Sequence, residues 1–108
     1  MSKFDDFLSE IRDGAKQLAK DLFKDAGKEA ADDTREFLNK SNDKLKKWTK
    51  ELQDRELNKD EFKDLVEGQR ALAKLYSLTQ AGVAATKLER FRSGLINLVI
   101  DKAFDVLL

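Results

Sequence analysis

Phe4, Leu8, Ile11, Ala15, Leu18 and Leu22 follow one another at alternating steps of four and three residues, the spacing that holds apolar side chains on one stripe of a helix. Polar and charged residues fill most of the positions between them. After Phe23 the stripe thins to Ala26, Ala30 and Ala31, with Gly27 among them, and it resumes at Phe37, Leu38, Leu45, Trp48 and Leu52. The pattern predicts one long helix over residues 3–53. A competing reading ends a helix near Ala26, with Gly27 as its C-terminal cap, and restarts it at Asp33, whose spacing to Glu36 fits a capping box.

The sharpest boundary in the chain is the stretch ELNKDEF, residues 56–62. Asn58 is a favourable N-cap, Glu61 three residues on reaches back to its amide, and Leu57 with Phe62 occupy the hydrophobic-staple positions around that cap. A second helix therefore starts at residue 59. It carries Phe62, Leu65, Val66, Leu72, Leu75, Tyr76, Val83, Leu88, Phe91 and Leu95, and with no proline in the chain the pattern carries it to residue 108. Two helices of about 50 residues, each roughly 75 Å long, then form an antiparallel hairpin occupying residues 1–108 as a single domain.

A hairpin folded near residue 56 pairs positions whose numbers sum to about 112, and complementary volumes on the facing helices support that pairing. Phe4 and Leu8 fall opposite Leu108 and Phe104, Leu22 opposite Phe91, Phe37 opposite Leu75, and Trp48 opposite Leu65. The small residues Ala26, Gly27, Ala30 and Ala31 fall opposite Ala81, Gly82, Ala84 and Ala85. On this reading Gly27 and Gly82 serve close packing between the two helices.

The closing stretch GLINLVIDKAFDVLL, residues 94–108, is apolar around most of its circumference, interrupted only by Asn97, Asp101, Lys102 and Asp105. A two-helix hairpin needs one apolar stripe per helix, so pairing with the first helix alone leaves Leu98, Ile100, Val106 or their neighbours in water. Patches of that kind mark interfaces. The expected interface consists of Leu95, Leu98, Val99, Ile100, Phe104 and Leu107, and its simplest cover is a second copy, giving a homodimeric four-helix bundle with coiled-coil-like packing.

Composition narrows the chemistry. The chain has 21 Lys plus Arg, 21 Asp plus Glu, no His and no Cys, so its net charge favours neither nucleic acid nor an anionic surface, and disulfides, thiol nucleophiles, thiolate metal sites, the commonest metal ligand and the side chain best suited to proton transfer near pH 7 are all missing. The glycines at 14, 27, 68, 82 and 94 are isolated and form no phosphate loop. No catalytic, cofactor-binding or metal-binding residue is expected, and no enzyme activity. Lys40, Lys44, Lys46, Lys47 and Lys50 surround Trp48, but Trp48 shares the stripe of Leu45 and Leu52, so a buried Trp bordered by solvated lysines is preferred over nucleic-acid contact.

The first residues hold acidic side chains at 5, 6 and 10, unlike a secretory signal, and the expected location is the cytoplasm. The longest charge-free run, residues 75–86, is too short and too polar to span a membrane, which takes about 20 mostly apolar residues. The expected function is that of a self-associating helical module, an adaptor, assembly element or small chaperone, whose protein partner the sequence does not identify. The alternative is an amphipathic binder of lipid or other hydrophobic surfaces. KDAGKEAADDTREF, residues 24–37, resembles exchangeable apolipoprotein helices in composition, without a shared motif.

Overall fold

The structure, a computed structural model, describes residues 2–108. The described residues form α1 (Lys3–Leu22), α2 (Gly27–Gln53), α3 (Lys59–Glu67), a 3-10 turn at Arg70–Leu72, α4 (Tyr76–Gln80) and α5 (Ala85–Leu107), with no strand among them. α1 starts where the Ser2 hydroxyl accepts from the Asp5 amide at 3.2 Å, and Asp5 and Asp6 in its first turn complement the helix dipole. It buries Phe7, Ile11, Ala15 and Ala19, flanked by the half-buried Phe4, Leu8, Leu18 and Leu22. The apolar stripe is thus wider than its four-three skeleton.

The cap at Asn58 is present in full. Its side chain accepts from the Glu61 amide at 2.8 Å while the Glu61 carboxylate accepts from the Asn58 amide at 3.0 Å. That reciprocal pair satisfies two of the donors a helix start leaves open. It fixes where α3 leaves the turn after α2.

The two unbroken helices of residues 3–53 and 59–108 do not form. The first breaks at residues 23–26, where Phe23 is extended at φ −128° and ψ 135°, close to the competing boundary but one turn before it. The second breaks twice, at residues 68–75 and 81–84. At the first of these Leu75 takes a left-handed conformation, φ 56°; at the second Gly82 does so at φ 83°, a region open to glycine at little cost. The longest dimension is therefore 42 Å, far short of a 75 Å hairpin.

Burial explains the breaks. A straight hairpin leaves the surplus apolar surface of residues 94–108 uncovered, whereas folding it in half brings α1 back along α2 and α5 along α3. The chain becomes an antiparallel bundle in which α1 lies between α5 and α2, and α3 lies between α2 and α5. One core gathers Phe7, Ile11, Phe37, Leu45, Phe62, Val66, Leu78, Phe91, Leu95, Ile96 and Val99, all at or near zero exposure. At about 25 cal/mol per Å² such burial outweighs the few backbone hydrogen bonds lost at the bends.

Between α1 and α5, three contacts fall on the register expected of a hairpin. A side chain added at Gly14 would stand 2.6 Å from Leu98 Cδ2, one added at Gly94 would stand 2.5 Å from Leu18 Cδ2, and Lys102 pairs with Glu10 at 3.5 Å. Each of these three pairs sums to 112. Gly27 and Gly82, by contrast, have nothing within 4 Å of an added Cβ, so the packing role expected of them falls instead to Gly14 and Gly94.

Two measurements check this fold. Asn58→Ala should lower unfolding free energy by about 1 kcal/mol, read from urea titration with an unchanged slope; no change would mean the cap contributes nothing. Gly94→Ile should destabilise by about 1–3 kcal/mol, because its branches enter the space of Leu18; a neutral outcome would show that α1 and α5 are not in close register.

Candidate functional site

The residues expected to form an interface lie at the centre of the bundle. Leu95 and Val99 are fully buried, Ile100 and Leu107 are 5% and 6% exposed, and Leu98 and Phe104 are half-buried against the same core. Leu98 sits over Gly14, and the Phe104 ring lies 6.0 Å from that of Phe62 with the Lys59 ammonium 5.2 Å from its centre. The expectation that Ile100 and its neighbours stay in water within a single chain is therefore corrected: the fold-back supplies α3 and part of α2 as cover. Of the closing run only Leu108 remains a large exposed apolar residue, at 61%.

One buried carboxylate organises the opposite side of the bundle. Asp33, 3% exposed, takes a hydrogen bond from the Ser77 amide at 3.0 Å on Oδ1 and from the Leu78 amide at 2.9 Å on Oδ2. Those amides open α4, whose own N-cap is the left-handed Leu75, with no side-chain oxygen to offer. Asp33 supplies that missing oxygen from across the hairpin. Its local spacing to Glu36 suggests a cap for its own helix, but the fold uses it to cap another, and both of its oxygens are thereby engaged.

Neighbouring polar contacts fasten the same region. Arg70 donates to Ser93 Oγ at 2.8 Å, and Arg92 Nε donates to the Ala73 carbonyl at 2.8 Å while its guanidinium pairs with Glu89. Arg70 and Arg92 thus join the 3-10 turn to α5. The buried oxygens of Ser41, Glu51 and Gln69 without hydrogen-bond partners do not line the groove described next.

An apolar groove lies between α1 and α2, with a volume of ≈ 370 Å³, lined by Arg12, Asp13, Ala15, Lys16, Lys20, Gly27 and Ala31 among others. Its floor is small because Ala15, Gly27 and Ala31 face it. Arg12, Lys16 and Lys20, four residues apart on α1, form a cationic edge with no ion-pair partner among the described residues, while Arg35 across the groove pairs with Asp32 at 3.0 Å.

The lysines around Trp48 lie on an exposed face, with Trp48 half-buried against the core. Lys40 and Lys50 pair with Glu36 at 2.9 Å and Asp54 at 2.8 Å. Hydrogen bonding to those carboxylates raises both ammonium pKa values above their ordinary range. Among the described residues no three His, Cys, Asp or Glu side chains gather as a metal site, and no helix is long and apolar enough to cross a membrane.

Asp33→Ala should cost about 2–3 kcal/mol, since it strands two amides in a largely buried place. Asp33→Asn should cost less, because one oxygen still accepts. Urea unfolding of both variants checks the order, and equal losses would show that the carboxylate does not act through these hydrogen bonds. The chain itself, compared with known protein families, curated proteins and solved structures, matches none.

Proposed function

We propose that this protein is a non-enzymatic helical interaction module that associates with a second copy of itself, as a dimeric four-helix bundle built from two hairpins. The observation that carries the reading is the continuity of the mirror pairing. It joins Glu10 to Lys102 and Gly14 to Leu98 in α1 and α5, and beyond both bends it joins Asp33 to Ser77 and Leu78 in α2 and α4. These contacts support a hairpin pairing whose inner face runs past the bends. In the closed chain, one half of that face covers the other. A second copy offers the same complement by two-fold symmetry, with Leu95, Val99, Ile100, Phe104 and Leu107 in the interface and Leu98 packed beside Gly14 of its own chain. Such a module serves as an adaptor, an assembly element or a small chaperone.

The α1–α2 groove favours a second reading, binding to a lipid or other hydrophobic surface. Its apolar floor and the cationic edge of Arg12, Lys16 and Lys20 suit an anionic, partly apolar surface.

Light scattering across a range of concentrations, with and without anionic vesicles, separates the two. A mass near twice 12.3 kDa that rises with concentration, together with no vesicle binding, is the expected result. A monomer at every concentration that sediments with vesicles would overturn self-association in favour of the surface-binding reading.

A further inference from the structure

The bends at residues 23–26 and 81–84 lie side by side. Phe23, Lys24, Asp25 and Ala26 share one shallow concavity with Ala81, Gly82, Val83 and Ala84. Together they are the crossings between two halves: α1 with α5, and α2 with α3, the 3-10 turn and α4. Each half is locked within itself. In the first, Leu98 fills the space beside Gly14, Leu18 fills that beside Gly94, and Lys102 reaches Glu10. In the second, Asp33 holds α4 and the Asn58 cap holds the α2–α3 turn.

Neither bend is sealed by its sequence. The N-cap positions of α2 and α5 are Ala26 and Ala84, with no side-chain hydrogen bond to the first amides of either helix, whereas the starts at Ser2 and Asn58 are capped. Straightening a bend into helix hands those open amides the carbonyls four residues back. No proline stands in the way. Gly82, at φ 83°, is the one residue of the two bends in the left-handed region that favours a turn over a helix.

We propose that the two bends are paired hinges and that the dimer forms by exchange of halves. Both bends straighten together, α1 runs into α2 and α4 into α5, and the α1–α5 half of each copy packs on the α2–α3–α4 half of the other. The proposal rests on the self-association put forward above and gives it a mechanism. Contacts between halves, such as Arg70 with Ser93, Arg92 with the Ala73 carbonyl and Phe62 with Phe104, are then remade between chains. Only the hinges and the entropy of association distinguish the closed monomer from the exchanged dimer, so hinge substitutions govern the balance.

Two variants should shift that balance in opposite directions. Gly82→Ala disfavours the left-handed bend and favours helix in both copies, and should tighten dimerisation on the order of 100- to 1,000-fold. Ala85→Pro suits the closed form, since Ala85 is the first residue of α5 and Ala84 before it is extended at ψ 147°. Inside a continuous helix the same proline is strongly unfavourable, so dimerisation should weaken roughly 100-fold or more while helix content and melting of the monomer persist.

A cross-link distinguishes exchange from face-to-face pairing. The chain has no cysteine, so Lys16→Cys with Ala31→Cys places two thiols on opposite sides of the α1–α2 groove. With a short bifunctional maleimide on the dimer fraction of the Gly82→Ala chain, exchange yields covalent dimers. Internal links in chains that separate on a denaturing gel would overturn exchange and leave self-association standing. A Gly82→Ala chain that stays monomeric at every concentration would overturn both.

Discussion

Leu98 occupies the space beside Gly14 where a side chain would stand, and Leu18 does the same beside Gly94. These reciprocal contacts set α1 and α5 at close approach and in a single register, because a shift along either helix would drive leucine methyls into backbone or open a void. Glu10 and Lys102, one helical turn further along, meet in the same register. With the two ends of the chain held together in this way, everything between residues 22 and 85 must leave and return at one end of that pair. The fold-back onto α1 and α5 follows from that restriction together with the need to bury Phe37, Leu45, Phe62 and Val66.

A second constraint is area. A hairpin of two helices has only one line of contact, and the closing run is apolar on more sides than one contact covers. Folding in half packs α5 against α1, α2 and α3 together, and its Leu95, Ile96, Val99 and Ile100 are all buried. What the fold-back gives up is local: helical hydrogen bonds at three breaks, with a left-handed leucine at residue 75 in one and a left-handed glycine at residue 82 in another. Leu75 is 2% exposed; its strain of about 1–3 kcal/mol is offset by burial and by the hydrogen bonds of the adjoining helix start to Asp33.

How much was legible in the sequence depended on the range of each signal. The Asn58–Glu61 cap could be read because all its atoms come from four consecutive residues. The register of 112 could be read because a hairpin imposes it wherever the turn is known, and α1 with α5 obeys it. The bends were harder, since Ala26 and Ala84 carry no capping oxygen and Gly27 shows no left-handed backbone. Periodicity passes through such places unbroken. Asp33 misled for a related reason: its spacing to Glu36 describes a local cap, while its real partners lie 44 and 45 residues away. Gly14 and Gly94 looked isolated because only three-dimensional pairing sets each against a leucine. For the candidate interface, the apolar character of residues 95–107 was plain from the sequence. Their covering partners within the chain were not, because cover depends on the bends.

That dependence ties the two proposals to one physical cause. The surface that buries the closing run is complementary by sequence and indifferent to chain identity, since the half that covers it is encoded in every copy. Within one chain the effective concentration of that half is set by four-residue bends and is high, whereas between chains it is the bulk concentration. A closed monomer therefore prevails when dilute unless bending is itself costly, and here bending leaves two helix starts without side-chain caps. On the proposed exchange, the balance rests on small hinge energies multiplied by two copies, so a single residue such as Gly82 weighs more on assembly than any residue of the buried face. Substitutions at Leu95 or Val99 weaken both forms alike, since both bury the same surface. On the proposed exchange, assembly and stability are thus controlled at separate positions of the chain.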